Sequence, residues 1–242
     1  MTLQGKRVLI TGAASGMGRA MVDSFLKVGA QVVAVDRNRT KLDELAGVAN
    51  VTSVPADISL DSDVTHIFEV AGVVDVLCNN AGITDSLAFV GDMSYDEWQR
   101  VLKTNLDGAF LMCHAAIPGM VENGGGVITN TSSLSGLRGH FSGPAYAAAK
   151  FGLVGLTYNI AGTYGPDGIR CNTICPGVTT TSIGADVEMD PRGMADLESQ
   201  RFKEHYWLAP AEVAAVALFL ATDAASGING AAIPVDRGLM TR

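Results

Sequence analysis

The chain has 242 residues, of which 48% are hydrophobic and 17% charged, and its formal net charge is −8. This length suits one large α/β domain, and an acidic chain without a basic run is not typical of partners of nucleic acid or anionic membranes. No apolar run approaches the ~18 residues of a membrane-spanning helix, and the opening MTLQGKRVLITG enters a strand pattern without a secretion signal. We expect a cytoplasmic protein. Its four cysteines have no histidine cluster nearby, so we expect reduced, buried thiols and no metal site.

The first predicted elements are a strand, a glycine-rich turn, a helix and a second strand. Arg7–Thr11 and Gln31–Val35 are short apolar runs with β-branched residues, and Arg19–Val28 has helical periodicity. The turn reads Gly-x-x-x-Gly-x-Gly over residues 12–18, and Asp36 follows the second strand. This layout is typical of a dinucleotide-binding βαβ unit.

The residues of this turn have predicted roles toward a bound dinucleotide. Gly12 permits the tight turn, Gly16 lets the backbone approach a pyrophosphate, and Gly18 lets the helix pack close to the sheet. The helix N-terminus offers free N–H groups to the phosphates. Ser15 and Met17, in the same turn, are therefore also predicted to bind the cofactor.

Two residues at the end of the second strand bear on the choice of cofactor. Asp36 is placed to accept hydrogen bonds from the adenosine ribose and to repel a 2′-phosphate, which favours NAD over NADP. Arg37 has a guanidinium able to bind that phosphate, but position 15, where a second basic residue would help, is only Ser15. We predict NAD, with Asp36 and Arg37 both at the site.

A third strand is predicted over Asn50–Ala56, and Asp57 and Ile58 follow it. Asp57 is expected either to hold the adenine amino group or to cap a helix that begins near Leu60. Both Asp57 and Ile58 are predicted to lie at the cofactor site.

A fourth strand, Val73–Cys78, leads into the sequence Asn79-Asn80-Ala81-Gly82. Ligands of a parallel sheet bind outside the carboxyl ends of its strands. The asparagines are expected to brace neighbouring loops, and the Ala-Gly backbone to pass under a cofactor. We therefore predict Asn79, Ala81 and Gly82 as cofactor-binding residues.

A long helix is predicted over Ser94–Glu122, with Ser94 and Glu97 forming a capping box. Asn105 falls inside this helix, where asparagine is intrinsically unfavourable. A polar side chain among apolar neighbours needs a reason, and a satisfied buried amide and a functional role are both open.

The most informative stretch joins a fifth strand, Gly125–Thr131, to a helix over Ala145–Tyr164. On that helix Tyr146 and Lys150 are four residues apart and share a face, and Ser133 precedes the tyrosine by thirteen residues. A cation beside a phenol favours the phenolate, which would allow the tyrosine to act as a base. Taken alone, the spacing is better explained by an ordinary surface Tyr-Lys pair, because two residues at helical spacing arise often by chance.

The remaining elements complete one domain over residues 1–242. Ile169–Ile174 and Ala231–Asp236 are predicted strands, and Pro210–Thr222 is a predicted apolar helix. Residues 181–208 alternate apolar and polar positions too irregularly for a core, so we predict a mobile, partly helical lid over the substrate.

Taken together, these motifs resemble those of a short-chain dehydrogenase/reductase of the NAD-dependent, single-domain kind. The resemblance covers almost the whole chain, and its motifs are specific only in combination. In chain order they are Thr11-Gly12-x-x-x-Gly16-x-Gly18, Asn79-Asn80-Ala81-Gly82, Asn105, Ser133, Tyr146-x-x-x-Lys150 and Pro176-Gly177. The resemblance implies an α/β fold: a Rossmann-type, doubly wound parallel sheet of about seven strands with helices on both faces.

The resemblance also implies roles for single residues. Tyr146 would be the general acid/base, Lys150 would lower its pKa and hold the nicotinamide ribose, and Ser133 would bind the substrate oxygen. Asn105 would hold a water that links Lys150 to solvent. The nicotinamide carboxamide would be held by Pro176, Gly177, Val178 and Thr181.

Two further features concern subunit contacts. The chain has Val-Asp-Arg-Gly at residues 235–238, where the family often has Val-Asp-Gly-Gly, so Arg237 puts a subunit contact in doubt. The helices predicted at 145–164 and 210–222 carry one charge each, Lys150 and Glu212, and so lack a face suited to water. Two apolar faces suggest two twofold contacts and hence a homotetramer, unless a loop such as the lid covers one face, which would leave a dimer.

We predict reversible hydride transfer between NAD(H) and a small to medium, largely uncharged secondary alcohol or its ketone. The residues predicted to contact the substrate are Ser135, His140, Phe141 and Val178, although a surface loop is the better explanation of His140.

Two alternatives stay open. The first is an NADPH-dependent 3-oxoacyl reductase of the same fold, although an acidic carrier protein would prefer a basic entrance. The lid is instead acidic: Asp186, Glu188, Asp190, Asp196, Glu198 and Glu204 outnumber Arg192, Arg201 and Lys203. The second is a non-catalytic dinucleotide-sensing protein, which the intact set of Ser133, Tyr146, Lys150 and Asn105 argues against.

Overall fold

The computed structural model describes residues 2–200 and 203–241. The strands of this part of the chain are β1 Arg7–Thr11, β2 Gln31–Asp36, β3 Val51–Pro55, β4 Val76–Asn79, β5 Gly126–Thr131, β6 Ile169–Pro176 and β7 Ala232–Val235. They form one parallel sheet in the order β3-β2-β1-β4-β5-β6-β7. The doubly wound α/β sheet predicted from the sequence is confirmed, with strand ends displaced by no more than three residues.

Helices cover both faces of this sheet. They are α1 Gly16–Leu26, α2 Arg39–Leu42, α3 Asp61–Ala71, α4 Tyr95–Leu102, α5 Gly108–Glu122, α6 Pro144–Tyr164, α7 Pro191–Ser199 and α8 Pro210–Leu220. Within the described ranges, none of them combines the length and apolar character that crossing a membrane requires.

Two apolar layers hold the sheet between the helices. Val8 and Ile10 of β1 face a layer that includes Phe25 of α1 and Leu220 of α8, and Leu9 faces a layer with α3, α5 and α6. Side chains alternate across a strand, and here both faces are covered. The strands therefore read as continuous apolar runs, as expected for a buried parallel sheet.

The chain reverses its winding direction between β1 and β4, and a crevice opens where their carboxyl ends meet. The Thr11 hydroxyl accepts hydrogen bonds from the backbone N–H groups of Asn80 and Ala81, each at 3.0 Å. These bonds fix the glycine-rich turn after β1 beside the residues that follow β4. The two cofactor motifs, almost seventy residues apart in sequence, therefore form one edge of the sheet.

The predicted helix over Ser94–Glu122 is interrupted by a π-helical turn, Lys103–Asp107. Its capping box is also only half formed. The Ser94 hydroxyl accepts the Glu97 N–H at 3.2 Å, but the Glu97 carboxylate accepts the N–H and the hydroxyl of Ser86 instead of the Ser94 N–H. A π-helical turn inserts a residue into the ladder and is frequent at functional sites, and here it contains Asn105, which is 1% exposed.

The predicted lid, residues 181–208, is partly helical, since it contains α7 and a 3₁₀ turn over Glu204–Tyr206. Its last residues correct the prediction that it contributes nothing to a core. Tyr206 is 4% exposed, and Leu208 is 2% exposed within the layer between the sheet and α1 and α8. Arg201, one of the lid residues named above, lies outside the described residues, as does Phe202.

Candidate active site

The glycine-rich turn leaves space that any side chain would fill. Gly12 has φ +66°, and a Cβ there would lie 2.9 Å from the Ala81 Cα. Gly16 has φ +51°, and its Cβ would lie 3.2 Å from the Thr181 Cγ2. A Cβ on Gly18 would overlap the Gly12 carbonyl group, so Gly18 packs beneath the turn and does not line the crevice.

A cleft follows the carboxyl edge of the sheet from β3 to β4. Many residues predicted to bind the cofactor lie in its wall: Gly12, Ser15, Gly16, Met17, Asp36, Arg37, Asp57, Ile58, Ala81, Gly82 and Thr181. The sequence reasoning missed other wall residues, namely Asn80, Ile83, Thr84, Arg100, Thr104, Ser182, Ile183, Gly184, Asp186 and Val187. The spacing of Arg100 and Thr104 shows that they share a helix face, but only tertiary packing decides that this face meets the cleft.

Backbone N–H groups hold the Asp36 carboxylate in the cleft wall. Its Oδ2 accepts the Ala14 N–H at 3.0 Å, and its Oδ1 accepts the Asn38 N–H at 2.9 Å. A carboxylate has about four acceptor positions, so Asp36 retains capacity for ribose hydroxyls. Asp57 accepts the Ser59 N–H at 2.9 Å, and Leu60 is the residue at the cap of α3, so Asp57 does not cap that helix.

Asn79 is a correction to the predicted site. Its side chain is 3% exposed and donates to Asn130 Oδ1 at 3.0 Å and to Cys113 Sγ at 3.2 Å, away from the cleft. Asn80 takes the position at the wall and donates to the Thr11 carbonyl at 3.0 Å. Adjacent side chains point to opposite sides of an extended segment, and the sequence alone does not show which of two asparagines faces the ligand.

Both the oxygen and the nitrogen of the Asn105 side-chain amide bind the loop after β4. Its Oδ1 accepts the Ile83 N–H and its Nδ2 donates to the Ile83 carbonyl, each at 2.8 Å. A Cβ on Gly82 would lie 3.1 Å from the Asn105 Oδ1 and 3.4 Å from the Lys150 Nζ. Glycine at position 82 therefore keeps open a gap between these two polar groups at the end of the cleft.

The structure brings Ser133, Tyr146 and Lys150 together. The Ser133 side chain lies close enough to the Tyr146 phenol to affect its pKa through hydrogen bonding. The Lys150 Nζ lies 5.4 Å from the centre of the tyrosine ring and donates to the Thr131 carbonyl at 2.8 Å. Lys150 is 3% exposed, which excludes the ordinary surface pair as an explanation of the spacing.

The pKa of the phenol differs in direction from the expectation. Burial raises the pKa of Tyr146 to about 12, the Ser133 hydrogen bond opposes this increase, and the charge of Asp85 adds to it. Burial also lowers the pKa of Lys150 to about 8. Because an apolar environment penalises both charged forms, the chain by itself does not lower the pKa of the tyrosine.

Asp85 was not found by sequence reasoning. Its carboxylate is fully buried, and its Oδ2 accepts the Tyr146 backbone N–H at 2.8 Å across 61 residues of sequence. No local pattern identifies such a residue, since one aspartate in a loop has no periodicity.

Of the four residues predicted to hold the nicotinamide carboxamide, one lies in the cleft wall and three lie outside it. Thr181 lies in the cleft wall, whereas Pro176, Gly177 and Val178 do not. Pro176 ends β6, the Gly177 N–H donates to the Val235 carbonyl, and the Val178 carbonyl accepts the Leu208 N–H. These three residues anchor the start of the segment that places Thr181 over Gly16.

The residues predicted to contact the substrate differ in their exposure. Ser135 is 2% exposed and sits in the turn after Ser133, whose hydroxyl accepts its N–H at 3.1 Å. The His140 side chain is 77% exposed and its Nε2 lies 3.5 Å from the Asp196 carboxylate, which places it on a surface loop. Phe141 ends the same short turn and is partly exposed.

Arg237 has a structural explanation. It adopts φ +51°, in the region where glycine is favoured. Its guanidinium makes a forked pair with the Glu212 carboxylate at 2.8 and 2.9 Å, and it donates to the His205 carbonyl at 3.2 Å. The residue therefore connects the C-terminal segment to the start of α8 and to the end of the predicted lid.

The donor set of the cleft fits a dinucleotide: a glycine turn with room for phosphate, a helix N-terminus, and a carboxylate at the end of β2. Among residues 2–200 and 203–241, no three His, Cys, Asp or Glu side chains are grouped to hold a metal ion. The four cysteines are free and buried.

Residues 12–240 match the family model described as enoyl-(acyl carrier protein) reductase. The chain is 41% identical to 3beta-hydroxysteroid dehydrogenase 2 of Eggerthella lenta, over 98% of this chain and 95% of that protein. It is 37% identical to D-threitol dehydrogenase of Mycolicibacterium smegmatis, over 98% and 93%.

A crystal structure of 3-ketoacyl-(acyl-carrier-protein) reductase from Brucella melitensis, complexed with NADH, matches with a TM-score of 0.87. It is 33% identical, and the match covers 98% of this chain and 99% of that one. Together with the fold and the cleft, these relatives identify an oxidoreductase that uses a nicotinamide dinucleotide to interconvert alcohols and ketones. The chain belongs to the short-chain dehydrogenase/reductase family.

Proposed function

We propose that the protein transfers a hydride reversibly between NAD(H) and a small to medium, largely uncharged secondary alcohol or its ketone. The observation that carries this proposal is the convergence of Ser133, Tyr146 and buried Lys150, next to the dinucleotide cleft at Gly82. When bound, the nicotinamide supplies the hydride acceptor for oxidation and the donor for reduction.

Each residue of this group has a distinct task in the proposed reaction. Ser133 fixes the substrate oxygen, and Tyr146 takes the hydroxyl proton in oxidation and returns it in reduction. Lys150 provides a positive charge that favours the phenolate. This effect opposes burial, which raises the tyrosine pKa. Asn105 and Lys150 border the gap at Gly82, where a water could link Lys150 to solvent.

Asp36 supports NAD over NADP. Its carboxylate lies in the cleft wall and is fixed by two backbone N–H groups, so a 2′-phosphate beside it would meet a negative charge that cannot turn away. Arg37 lies in the same wall and is the residue that would favour NADP. The NADH in the Brucella melitensis relative agrees with this preference.

The charges of the predicted lid support a neutral substrate over an acyl-carrier substrate. Asp186 lies in the cleft wall. The Arg192 guanidinium of the lid lies 3.6 Å from the Asp92 carboxylate and 4.1 Å from the centre of the Phe89 ring, so its charge is already paired. An acidic carrier protein would meet like charge there. The names of the two relatives, a hydroxysteroid and a threitol dehydrogenase, also refer to neutral alcohols.

Steady-state kinetics tests the proposal. The purified protein is assayed with NAD and NADP against a panel of neutral secondary alcohols, and in reverse with their ketones and with a 3-oxoacyl thioester. We expect kcat/KM to be highest with NAD and a neutral alcohol. Faster reduction of the thioester with NADPH would favour the 3-oxoacyl reductase, and cofactor binding without any turnover would favour the sensing protein.

We also propose a cytoplasmic homotetramer. The four free thiols support a reducing compartment. Large side chains stay exposed on α5 and α6, with Phe110 50%, Phe151 45% and Tyr158 49% exposed, and a second copy would cover them. We assign the second twofold contact of the tetramer to α8 and β7. Light scattering decides the assembly: four times the 25.2 kDa chain mass is expected, and the mass of one chain would contradict it.

A further inference from the structure

The N-terminus of α6 depends on a group outside the helix. The first N–H groups of a helix have no partner within it, and Pro144, the first residue of α6, has none to offer. The first bond of the helical ladder runs from the Ala147 N–H to the Gly143 carbonyl at 3.0 Å. The Tyr146 N–H therefore has no acceptor within the helix, and it donates to the Asp85 Oδ2 at 2.8 Å.

The surroundings of Asp85 are shaped for this contact. Asp85 is 0% exposed, and its Oδ1 accepts the Leu87 N–H at 3.4 Å. Any Cβ on Gly143 would overlap the Asp85 carboxylate, so glycine before the helix is what lets the carboxylate reach the Tyr146 backbone. Gly143 itself makes no side-chain cap, and Asp85 takes that position from a distant loop.

The loop that carries Asp85 is fixed on two other sides. Glu97 of α4 accepts the Ser86 N–H at 2.6 Å, and the Ser86 carbonyl accepts the Asp190 N–H at 2.8 Å. Leu87 is held at φ +65°, which L residues rarely adopt. A loop fixed by α4 on one side and by the start of α7 on the other holds its aspartate rigidly against α6.

Asp85 also acts on the phenol through its charge. Three groups face Tyr146: Lys150 on its own helix, Ser133 after β5, and Asp85 from the loop. The Asp85 charge raises the Tyr146 pKa, whereas the Ser133 bond lowers it. Glu97 is the charged group facing Asp85 itself, and burial raises the Asp85 pKa while its backbone hydrogen bonds lower it.

We propose that Asp85 is a positioning residue for Tyr146, on the basis of the function proposed above. Its carboxylate fixes the backbone at the start of the catalytic helix and opposes a second negative charge on the phenol. The phenol thus stays protonated over more of the pH range, which is the form that reduction of a ketone needs. Asp85 favours this protonated form, and Lys150 favours the phenolate that takes the proton in oxidation.

Two substitutions separate backbone support from charge. Asp85→Asn keeps an oxygen that can accept the Tyr146 N–H but removes the charge, and Asp85→Ala removes both. Asp75→Asn is the matched control, because Asp75 accepts the Arg7 N–H at 2.8 Å at the opposite end of the sheet. The measurements are hydrogen exchange of the peptide spanning residues 143–150 and the pH profile of kcat/KM for alcohol oxidation.

We expect Asp85→Asn to keep the amide protection of this peptide and to shift the rising limb of the oxidation profile to lower pH by about one unit or more. At an effective dielectric near 20, a charge within about 10 Å accounts for a shift of that order. The direction follows because loss of a negative charge lowers the phenol pKa. Asp85→Ala should lose protection at Tyr146 and about tenfold or more in kcat, and Asp75→Asn should change neither.

Two results would overturn the proposal: an unshifted profile in Asp85→Asn, or wild-type protection in Asp85→Ala. If Asp85→Ala fails to fold, Asp85→Ser, which keeps a shorter acceptor, replaces it in the exchange experiment. The exchange measurement needs no substrate. Absence of turnover in the wild type would therefore count against the proposed function, while unchanged exchange would count against Asp85.

Discussion

The cleft, from β3 to β4, and the proposed catalytic group of Ser133, Tyr146 and Lys150 are built in different ways. The cleft is shaped by missing side chains, since Gly12, Gly16 and Gly82 each leave space where a Cβ would meet a neighbour. The catalytic group consists of side chains with long-range partners, such as the bond from Lys150 to the Thr131 carbonyl. Adding an atom should therefore disrupt the cleft, whereas removing an atom should disrupt the catalytic group.

The largest expected effect comes from removing one atom of the catalytic group. Tyr146→Phe should reduce kcat to about 1% or less, because the phenol supplies general acid/base catalysis worth ~10²–10⁴. The Kd for NAD should stay within about twofold, since the cleft residues bind most of the cofactor. Stopped-flow kinetics and NADH fluorescence measure the two quantities, and retention of more than a few per cent of kcat would remove Tyr146 from its role.

Adding one atom to the cleft should have the next largest effect. Gly12→Ala places a methyl group 2.9 Å from the Ala81 Cα at a residue with φ +66°, so we expect a loss of NAD affinity of about tenfold or more and ~1 kcal/mol or more of stability. Gly47→Ala is the matched control, because Gly47 has φ +78° with nothing within 4 Å. Titration calorimetry and urea unfolding should show only the stability loss in the control. Equal NAD affinity in both variants would contradict the role of Gly12.

Asp36→Ala tests whether a side chain also matters within the cleft. We expect kcat/KM with NAD to fall about tenfold and the preference against NADP to relax, because the fixed carboxylate both accepts from the ribose and repels a 2′-phosphate. Arg37→Ala, one residue later in the same wall, should leave the NAD value nearly unchanged. A wild-type enzyme that already prefers NADP would show that Arg37 decides the cofactor.

The smallest expected effect lies away from both regions, at Arg237. Arg237→Gly removes the forked pair with Glu212, whose two side chains are 44% and 38% exposed, but it also relieves the backbone at φ +51°. Exposed pairs contribute ~0–1 kcal/mol, so the Tm should change little. Arg237→Ala loses the pair and keeps the strain, and it should be the less stable variant. The opposite order by calorimetry would show that the backbone is not strained there.

The sequence alone determined most of the fold. Seven apolar runs with β-branched residues predicted seven strands, because a parallel sheet buried on both faces demands such runs. The glycine spacing at residues 12–18 predicted the cleft, since close approach of a backbone to phosphate needs glycine at fixed offsets. Tyr146 and Lys150 were recognised as a pair because their four-residue spacing places them on one helix face, whereas the role of Ser133 followed from the family resemblance.

Tertiary structure decided what depends on partners distant in sequence. Burial, which raises the Tyr146 pKa, results from packing of the whole chain, so the spacing of Tyr146 and Lys150 gave its direction wrongly. The strand geometry after β4 decided that Asn80 and not Asn79 faces the cleft. Asp85 reaches Tyr146 across 61 residues. A solitary aspartate carries no periodic signal, and only the folded loop brings its charge to the catalytic helix.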